Sequence, residues 1–382
     1  MKWKLVIAVL LIGLMVACDE SGDNPGENQS SALSNYFSIE GAELVSAKLP
    51  EASVSTTAPV IQSVSGNNSV INGGTNRISI ESNSEYSKVI VGVKELTSGY
   101  YEFTPELKST YVAAFVLQMS TELPQESFVL VFALVNASGE VSQYREINVA
   151  LVESQVGALQ VSCSWDLLND IDLHVVNPEG VEVYYGNTGY DYGFDYVELV
   201  NHYLGLNFEA GTSYDDIYTS LTEAQIDELD NLTPSQVNQF RLDSTPGGNL
   251  DVDSNADCDI DHINNENIIY PTKADMVAGE YIVRVDFYSD CVGSGQTNYT
   301  VLARYNGALI QPSSSTNPYD GIFNAGEQDY GGSGSGVEVM RFTITEDQLK
   351  SASTEKICAF EFNNKSNIAT NTINRINKMK NR

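Results

Sequence analysis

Short runs of β-branched and aromatic residues, separated by turn signals, recur along most of this chain and constrain its fold more than any other feature. The clearest run is ALQVSCSW at residues 158–165, in which apolar and polar side chains alternate as in a half-buried strand. Turn signals such as NGG at residues 72–74 and NPEG at residues 177–180 separate neighbouring runs. We therefore predict a mainly β protein with two β-sandwich modules, the second of which carries a short helical insertion.

The first predicted module spans residues 58–152. Its β-rich runs lie at residues 78–80, 89–93, 111–117, 128–135 and 147–151. About seven short strands in a segment of this length is the pattern of an immunoglobulin-like sandwich. The closing segment, FVLVFALVNASGEVS at residues 128–142, resembles the last hairpin of bacterial immunoglobulin-like and fibronectin-type repeats. That resemblance implies a fold and no ligand.

The second predicted module spans residues 158–346 and is interrupted by an insertion at about residues 190–245. The sequence SLTE at residues 220–223 is a capping-box pattern that predicts a short helix through Asp230, and Pro234 predicts the start of another helix. Insertions in sandwiches often build binding surfaces, and tyrosines are dense just before this one. The candidate ligand-binding residues are Tyr184, Tyr190, Tyr192 and Tyr196. An insertion that only covers an edge strand is the alternative.

Three segments of the second module resemble the YfaP-like family, a group of secreted bacterial β domains of unknown function. They are LQVSCSWD, NDIDLHV and NPEG within residues 159–180, GNLDVDSN at residues 248–255, and ENIIY and AGEYIVRV within residues 266–285. The resemblance covers about half of the chain, and the helical insertion departs from it. It implies a β fold in a secreted setting and brings no reaction.

Acidic residues concentrate in two segments of the second module. Asp170, Asp172 and His174 alternate with apolar residues, so in a strand these three polar side chains share one face. Asp251 and Asp253 likewise share one face of their own predicted strand. If the two strands are neighbours, four or five carboxylates come together, and hard oxygen ligands in that number suit Ca²⁺. The candidate ligands are Asp166, Asp170, Asp172, Asp251, Asp253, Asp257 and Asp259. An acidic loop without metal is the alternative. His174 is predicted to be structural, with its ring hydrogen-bonded beside Asp172, and a metal ligand or a general base is the alternative for this residue.

Four cysteines follow Cys18 in the sequence. We predict a disulfide between Cys258 and Cys291, because each lies in a loop just after a predicted strand. Cys163 alternates with apolar neighbours in the run at residues 158–165 and is predicted to be a small core residue. Cys358 falls in the polar tail.

The N-terminus resembles the signal peptide of bacterial lipoproteins. Lys2 and Lys4 precede an apolar run at residues 5–16 that is too short to span a bilayer comfortably, and Ala17 stands just before Cys18. The resemblance implies cleavage before Cys18 and a lipid anchor on its thiol, which would attach the chain to a lipid bilayer. An ordinary cleaved signal peptide is the alternative.

Polar segments flank the two predicted modules. Residues 19–57 are predicted to be a flexible tether, within which a weakly apolar patch at residues 36–49 either docks or forms a short helix. Residues 347–382 are predicted to be a basic polar tail, with an edge strand at residues 357–362 as the alternative.

Charge and missing motifs narrow the function. The formal net charge of −31 disfavours nucleic acid as a partner. No zinc-protease motif, nucleophile elbow or phosphate loop occurs in the sequence. We therefore expect a non-catalytic, extracytoplasmic lipoprotein of the bacterial cell envelope that binds a glycan, a peptide or a partner protein, with loops ordered by Ca²⁺. An accessory or unrecognised hydrolase domain and a purely structural envelope protein are the alternatives, and the sequence leaves the membrane and leaflet open.

Overall fold

A computed structural model describes residues 31–152, 154–188, 194–209, 212, 214–232, 247–293 and 295–350. The predicted signal peptide with Cys18, the first part of the predicted tether, and the tail beyond residue 350 with Cys358 lie outside these residues.

The first module is a sandwich of two sheets. Its strands are β1 (Phe37–Ser38), β2 (Glu43–Val45), β3 (Ile61–Ser65), β4 (Ser69–Ile71), β5 (Thr75–Ser82), β6 (Lys88–Val93), β7 (Tyr100–Phe103), β8 (Leu107–Ser109), β9 (Val112–Met119), β10 (Ser127–Val135) and β11 (Arg145–Val152). One sheet has the order β1-β9-β5-β3 with β8 paired to β9, and the other has the order β2-β7-β6-β10-β11-β4. The five predicted β-rich runs coincide with β5, β6, β9, β10 and β11, which confirms a mainly β module.

The first sandwich begins earlier in the chain than predicted. Helix α1 (Ser31–Ser34) leads into β1, which pairs with β9, and β2 pairs with β7. Leu33, Tyr36 and Phe37 are buried in the core between the two sheets. The predicted tether at residues 19–57 therefore does not hold from residue 31 onward, because large apolar side chains there complete the sandwich core.

The second module is also a sandwich of two sheets. Its strands are β12 (Leu159–Trp165), β13 (Asp170–Val176), β14 (Glu182–Val183), β15 (Asn249–Val252), β16 (Asn265–Tyr270), β17 (Gly279–Ser289), β18 (Thr297–Tyr305), β19 (Ala308–Leu309), β20 (Tyr319–Phe323) and β21 (Val337–Ile344). The larger sheet has the order β15-β16-β12-β18-β19 with β20 paired to β18, and the smaller has the order β14-β13-β17-β21. Trp165, Tyr281 and Phe342 lie in the core between them. Helix α5 (Glu346–Lys350) follows β21 and begins the predicted tail.

Strand β12 is buried on both faces because the two sandwiches pack against each other. Its apolar residues face the core of the second sandwich, and its polar residues Gln160, Ser162 and Ser164 are also buried. The hydroxyls of Ser164 and Thr75 share a hydrogen bond of 2.6 Å, and Nε2 of Gln160 donates to the carbonyl of Asn72 at 2.7 Å. The interface between the modules is thus polar and hydrogen-bonded.

The insertion contains three described helices. They are α2 (Phe194–Leu204), α3 (Tyr214–Ser220) and α4 (Glu223–Asp230), and they enclose a small core of Val197, Val200 and Ile217. Helix α4 ends at Asp230 as predicted, but its capping box joins Thr222 to Gln225 instead of Ser220 to Glu223. Ser220 still belongs to α3, so Thr222 is the extended residue that caps α4. The helix predicted at Pro234 lies outside the described residues.

None of the helices among the described residues has the length and apolar character that a membrane span requires.

Candidate metal centre

The acidic face of β13 is confirmed, and it meets a second acidic strand. Ile171, Leu173 and Val175 of β13 lie in the core. Asp172, on the other face, lies directly opposite Asp286 of β17 in the pairing of the two strands. Asp172 and Asp286 are therefore cross-strand neighbours, an arrangement in which two ionised carboxylates repel each other.

One edge of β13 is covered by a carboxylate instead of a strand. Among the described strands, β14 pairs with β13 only at Val175 and Val176. Along the rest of that edge, the amide of Leu173 donates a hydrogen bond to Oε2 of Glu266 at 2.5 Å. Glu266 pairs with Cys163 within the larger sheet, so its side chain points inward and crosses to the smaller sheet.

Four carboxylates meet at this edge, and we name them the carboxylate cluster: Asp170, Asp172, Asp253 and Glu266. Asp172, Asp253 and Glu266 each offer an oxygen within 4.8 Å of the other two, and the charge of Asp170 acts on Asp172. Asp170 is 1% exposed, Asp172 is 3% exposed and Glu266 is 0% exposed. Asp253 is partly exposed, so the cluster is buried except on the side of that residue.

Burial and mutual repulsion change the acidity of this cluster. Burial, with added repulsion from neighbouring carboxylates, raises the pKa of Asp170 to about 7 and the pKa of Asp172 to about 9. The same two causes raise the pKa of Glu266 well above its usual range. Within the part of the chain that the structure describes, no Lys or Arg forms an ion pair with any of these three side chains. Protons or a bound cation must therefore neutralise much of the charge.

The oxygens of the cluster are arranged to accept such a cation. Oδ2 of Asp170 accepts a hydrogen bond from the amide of Asp257 at 2.8 Å. Oδ1 of Asp170, Oδ2 of Asp172 and Oε1 of Glu266 are buried and have no hydrogen-bond partner among the described residues. Buried polar atoms normally have partners, so three unpartnered carboxylate oxygens within one cluster indicate a ligand. Several carboxylate oxygens around one point are the donor set that Ca²⁺ prefers.

Asp253 and Asp257 lie in a loop of residues 253–264, which we name the acidic loop. Hydrogen bonds within this loop and to its neighbours hold it in place. Nδ2 of Asn255 donates to the carbonyl of Asn169 at 3.0 Å and to Oδ1 of Asn264 at 2.9 Å. Residues with left-handed φ values are unusually frequent here: Asn255, Asp257, Cys258, His262 and Asn264. Asn and Asp adopt this conformation more readily than most residues, which accounts for part of the loop's composition.

The disulfide predicted between Cys258 and Cys291 is present. Their Cα atoms lie 5.4 Å apart, and the bond ties the acidic loop to the loop after β17. The amide of Cys291 also donates a hydrogen bond to Oδ1 of Asn169 at 3.0 Å. The carbonyl of the same Asn169 accepts the hydrogen bond from Asn255. The acidic loop is therefore fixed before any ligand binds. Cys163 is a free, buried core residue, as predicted.

Two predicted ligands lie apart from the cluster. Asp166 accepts hydrogen bonds from the amide of Asn298 at 2.9 Å and from its Nδ2 at 2.7 Å. Oδ2 of Asp251 accepts from the amide of Gln155 at 2.7 Å and from Nδ2 of Asn267 at 3.1 Å.

Asp251 lies apart from the cluster because its strand ends just after it. Strand β15 ends at Val252, and its pairing with β16 is irregular between Leu250 and Val252. The side-chain alternation that was expected to put Asp251 and Asp253 on one face therefore does not continue to Asp253. Asp257 and Asp259 have exposed side chains, and Asp257 contributes its backbone amide.

Sequence reasoning did not identify Glu266 and Asp286 as candidate ligands. Glu266 is the first residue of the ENIIY segment. A polar residue at the start of a predicted buried strand is the only feature of the sequence that marks it. Asp286 lies on the outward face of β17, where an acidic residue is ordinary. It is nevertheless 2% exposed, with Gly331 and Ser335 of a later loop lying over it. Nothing in the sequence predicts that the loop with Gly331 and Ser335 folds back over β17.

His174 is bonded to a different residue from the one predicted. Its Nδ1 lies 3.0 Å from Oε1 of Glu182 instead of pairing with Asp172. Burial of Glu182 acts to raise its pKa, but hydrogen bonds from His174, Ser333 and Gly334 outweigh that effect and hold the pKa at about 2. Glu182 is therefore an ionised acceptor that orients the imidazole ring.

The predicted ligand-binding tyrosines are only partly described. The half-buried ring of Tyr184 stacks on the ring of His174, with the centroids 4.9 Å apart and the planes at 14°. Tyr184 therefore packs against one face of the imidazole ring. Tyr190 and Tyr192 lie outside the described residues, and Tyr196 lies in α2 with its side chain outside them.

A cleft of about 410 Å³ lies next to Asp286. It is lined by aromatic and acidic side chains, among them Phe287, Tyr299, Tyr319, Phe323, Glu327 and Asp329. The rings of Tyr299 and Phe323 stack with their centroids 4.7 Å apart. This cleft was not predicted from the sequence.

No family model matches the chain. No curated protein matches it significantly. The resemblance to the YfaP-like family therefore stays a prediction.

Proposed function

We propose that this protein is a non-catalytic, lipid-anchored binding module of the bacterial cell envelope, in which Ca²⁺ bound to the carboxylate cluster orders the second sandwich. The observation that carries the proposal is the set of buried, unpartnered oxygens on Asp170, Asp172 and Glu266. Three carboxylates without an ion-pair partner among the described Lys and Arg residues are costly to keep ionised in a protein interior.

Two features of the site favour Ca²⁺ binding. Outside the cytoplasm, the acidic modules that bind Ca²⁺ typically have Kd values of roughly 10⁻⁴–10⁻³ M, so a modest affinity is sufficient. The disulfide between Cys258 and Cys291 and the hydrogen bonds of Asn255 pre-order the acidic loop. Such pre-ordering reduces the entropy lost on binding.

Burial argues against catalysis by the cluster. A catalytic acid or base must reach the substrate, and Asp170, Asp172 and Glu266 are each no more than 3% exposed. The hydrolase alternative has one observation in its favour, the contact between Asp286 and Asp329 at the cleft, which together with burial raises the pKa of Asp286 to about 7. Asp329 is the exposed member of that pair. Glu327 also lines the cleft and is exposed, but hydrogen bonds from Asn324 lower its pKa, which suits an ionised acceptor and not a general acid.

The cleft beside Asp286 is the candidate surface for a ligand. Its walls include Tyr299 and Phe323, and Glu327 and Asp329 add negative charge. Aromatic walls suit the faces of sugar rings and apolar side chains, and the acidic groups disfavour anions. A neutral glycan, a peptide or a surface segment of a partner protein fits this chemistry.

The lipid anchor is tested by labelling. A Cys18→Ser variant expressed in bacteria should lose incorporation of a fatty-acid analogue, and it should accumulate as an uncleaved or soluble form. Undiminished labelling of the variant would remove the anchor from the proposal.

Calorimetric titration of the full chain with Ca²⁺ tests the cation site. The wild type should bind one Ca²⁺, and Glu266→Gln should bind it at least tenfold more weakly, because the amide keeps the contact with Leu173 and loses the charge. Asp259→Asn removes an exposed carboxylate of the same loop and should bind like the wild type. Absence of Ca²⁺ binding by the wild type would end the proposal.

A further inference from the structure

A second group of side chains suited to a metal lies beside the carboxylate cluster. Asp172, His174 and Asp286 each offer a ligand atom within 4.8 Å of the other two. They are 3%, 0% and 2% exposed, respectively. His174 and Asp286 take no part in the proposed calcium site, and only Asp172 belongs to both groups.

The hydrogen bonds of Glu182 fix which nitrogen of His174 is available. The carboxylate of Glu182 accepts hydrogen bonds from Oγ of Ser333 and the amide of Gly334, both at 2.7 Å, through Oε2. Its Oε1 faces Nδ1 of His174, and a carboxylate can only accept, so Nδ1 carries the proton. When the ring is neutral, its lone pair is therefore on Nε2, which is buried and has no hydrogen-bond partner among the described residues.

We infer that Asp172, His174 and Asp286 bind a divalent transition-metal ion of the zinc type, and that Asp172 bridges this ion to the calcium of the carboxylate cluster. A carboxylate on the far nitrogen of a histidine is the usual support of a metal-binding imidazole, because it fixes the tautomer and orients the ring. An imidazole nitrogen favours Zn²⁺ and its neighbours over Ca²⁺. Two metal bonds of about 2 Å each leave the ligand atoms roughly 3–4 Å apart, which is compatible with the observed spacing.

The charge at this place fits two cations better than one. The carboxylate cluster and Asp286 together contribute five carboxyl groups to a buried region. When all five are ionised, one divalent cation balances two of their charges, and two divalent cations together balance four. The stacked ring of Tyr184 closes the histidine side from solvent, which strengthens the attraction between an ion and its ligands.

Metal counting on the full chain tests the inference. The chain is stripped with chelator, dialysed with Ca²⁺ and an equal concentration of Zn²⁺, and its metals are measured by mass spectrometry. The wild type should hold one Ca²⁺ and one Zn²⁺. His174→Gln should lose the Zn²⁺, with at least tenfold weaker binding, and should keep the Ca²⁺. His262→Gln, which changes an exposed histidine of the acidic loop, should keep both ions.

A pair of glycine variants provides a second measurement. A Cβ at Gly331 would lie 2.2 Å from Oδ2 of Asp286, so Gly331→Ala must displace that ligand and should weaken Zn²⁺ binding. A Cβ at Gly332 would meet its nearest atom, Oη of Tyr185, only at 3.9 Å, so Gly332→Ala should bind Zn²⁺ like the wild type.

The outcomes separate this inference from the proposed calcium site. Zinc-edge X-ray absorption of the wild type should show one imidazole and oxygen ligands, and it needs no variant to fold. A shell of oxygens alone, or equal Zn²⁺ binding by His174→Gln, overturns the second site. Zn²⁺ that displaces the Ca²⁺ one for one also overturns it, because the two groups would then form a single site. Zn²⁺ bound without any Ca²⁺ overturns the proposed function and the bridging role of Asp172, and it leaves the zinc site itself standing.

Discussion

Asp172 and Asp286 are direct cross-strand neighbours, and neither side chain is more than 3% exposed. Two carboxylates in this relationship repel each other, and burial deprives them of the water that would screen the repulsion. Asp170, Asp253 and Glu266 bring further negative charge to the same edge of β13. The fold therefore depends on whatever neutralises this charge.

The stability of the metal-free protein should fall as the pH rises. Asp170 and Asp172 have folded-state pKa values of about 7 and about 9, above the ordinary value of 3.8. A group whose folded pKa is raised contributes stability that is fully present below its unfolded pKa and is lost as the pH rises through its folded pKa. We expect the chain in chelator to melt at a higher temperature at pH 5 than at pH 8.5. Asp172→Asn should show a smaller difference, and a metal-free wild type that melts higher at pH 8.5 would contradict the assignment.

The disulfide should stabilise both the fold and the cation site. It joins cysteines 33 positions apart. Closing a loop of this size contributes about 3–4 kcal/mol on the chain-entropy estimate. The double variant Cys258→Ser, Cys291→Ser should therefore unfold at lower urea concentration and bind Ca²⁺ more weakly, because the acidic loop loses its covalent tie. Unchanged Ca²⁺ affinity in the folded double variant would show that the disulfide does not order the site.

The two sandwiches should be energetically coupled through Thr75 and Ser164, whose hydroxyls are 2.6 Å apart in a buried interface. A double-mutant cycle with Thr75→Ala and Ser164→Ala should give a coupling energy of about 0.5–1.5 kcal/mol in urea unfolding. Thr75→Ala with Ser138→Ala, a distant exposed position, should be additive. Additivity in the first cycle would mean that the modules do not pack in this way.

The sequence predicts the sandwich architecture well because side-chain alternation is a local property. The alternation of Asp170, Asp172 and His174 with core residues holds along β13, although the pairing of β13 with β17 is irregular between Asp170 and Asp172. The same reasoning fails at Asp251 and Asp253, because β15 ends at Val252 and the chain turns into the acidic loop.

The remaining parts of the site depend on contacts between distant segments. Glu266 reaches Leu173 from the other sheet, and the loop around Gly331 lies over Asp286. Neither contact has a periodic signal in the sequence. The N-terminal boundary was misplaced for the same reason, because Phe37 completes a core whose other residues lie far along the chain.

Thermal melting of the full chain at pH 7.5, in excess Ca²⁺ and in chelator, tests the cation site most directly. A hundredfold excess of Ca²⁺ over Kd stabilises the fold by about 2.7 kcal/mol, so the wild type should melt several degrees higher in Ca²⁺. Glu266→Gln should lose most of that gain and be at least as stable as the wild type in chelator, because it removes the cost of burying this carboxyl group ionised or of protonating it. Asp259→Asn should keep the gain. Identical melting of the wild type in Ca²⁺ and in chelator would contradict the calcium site.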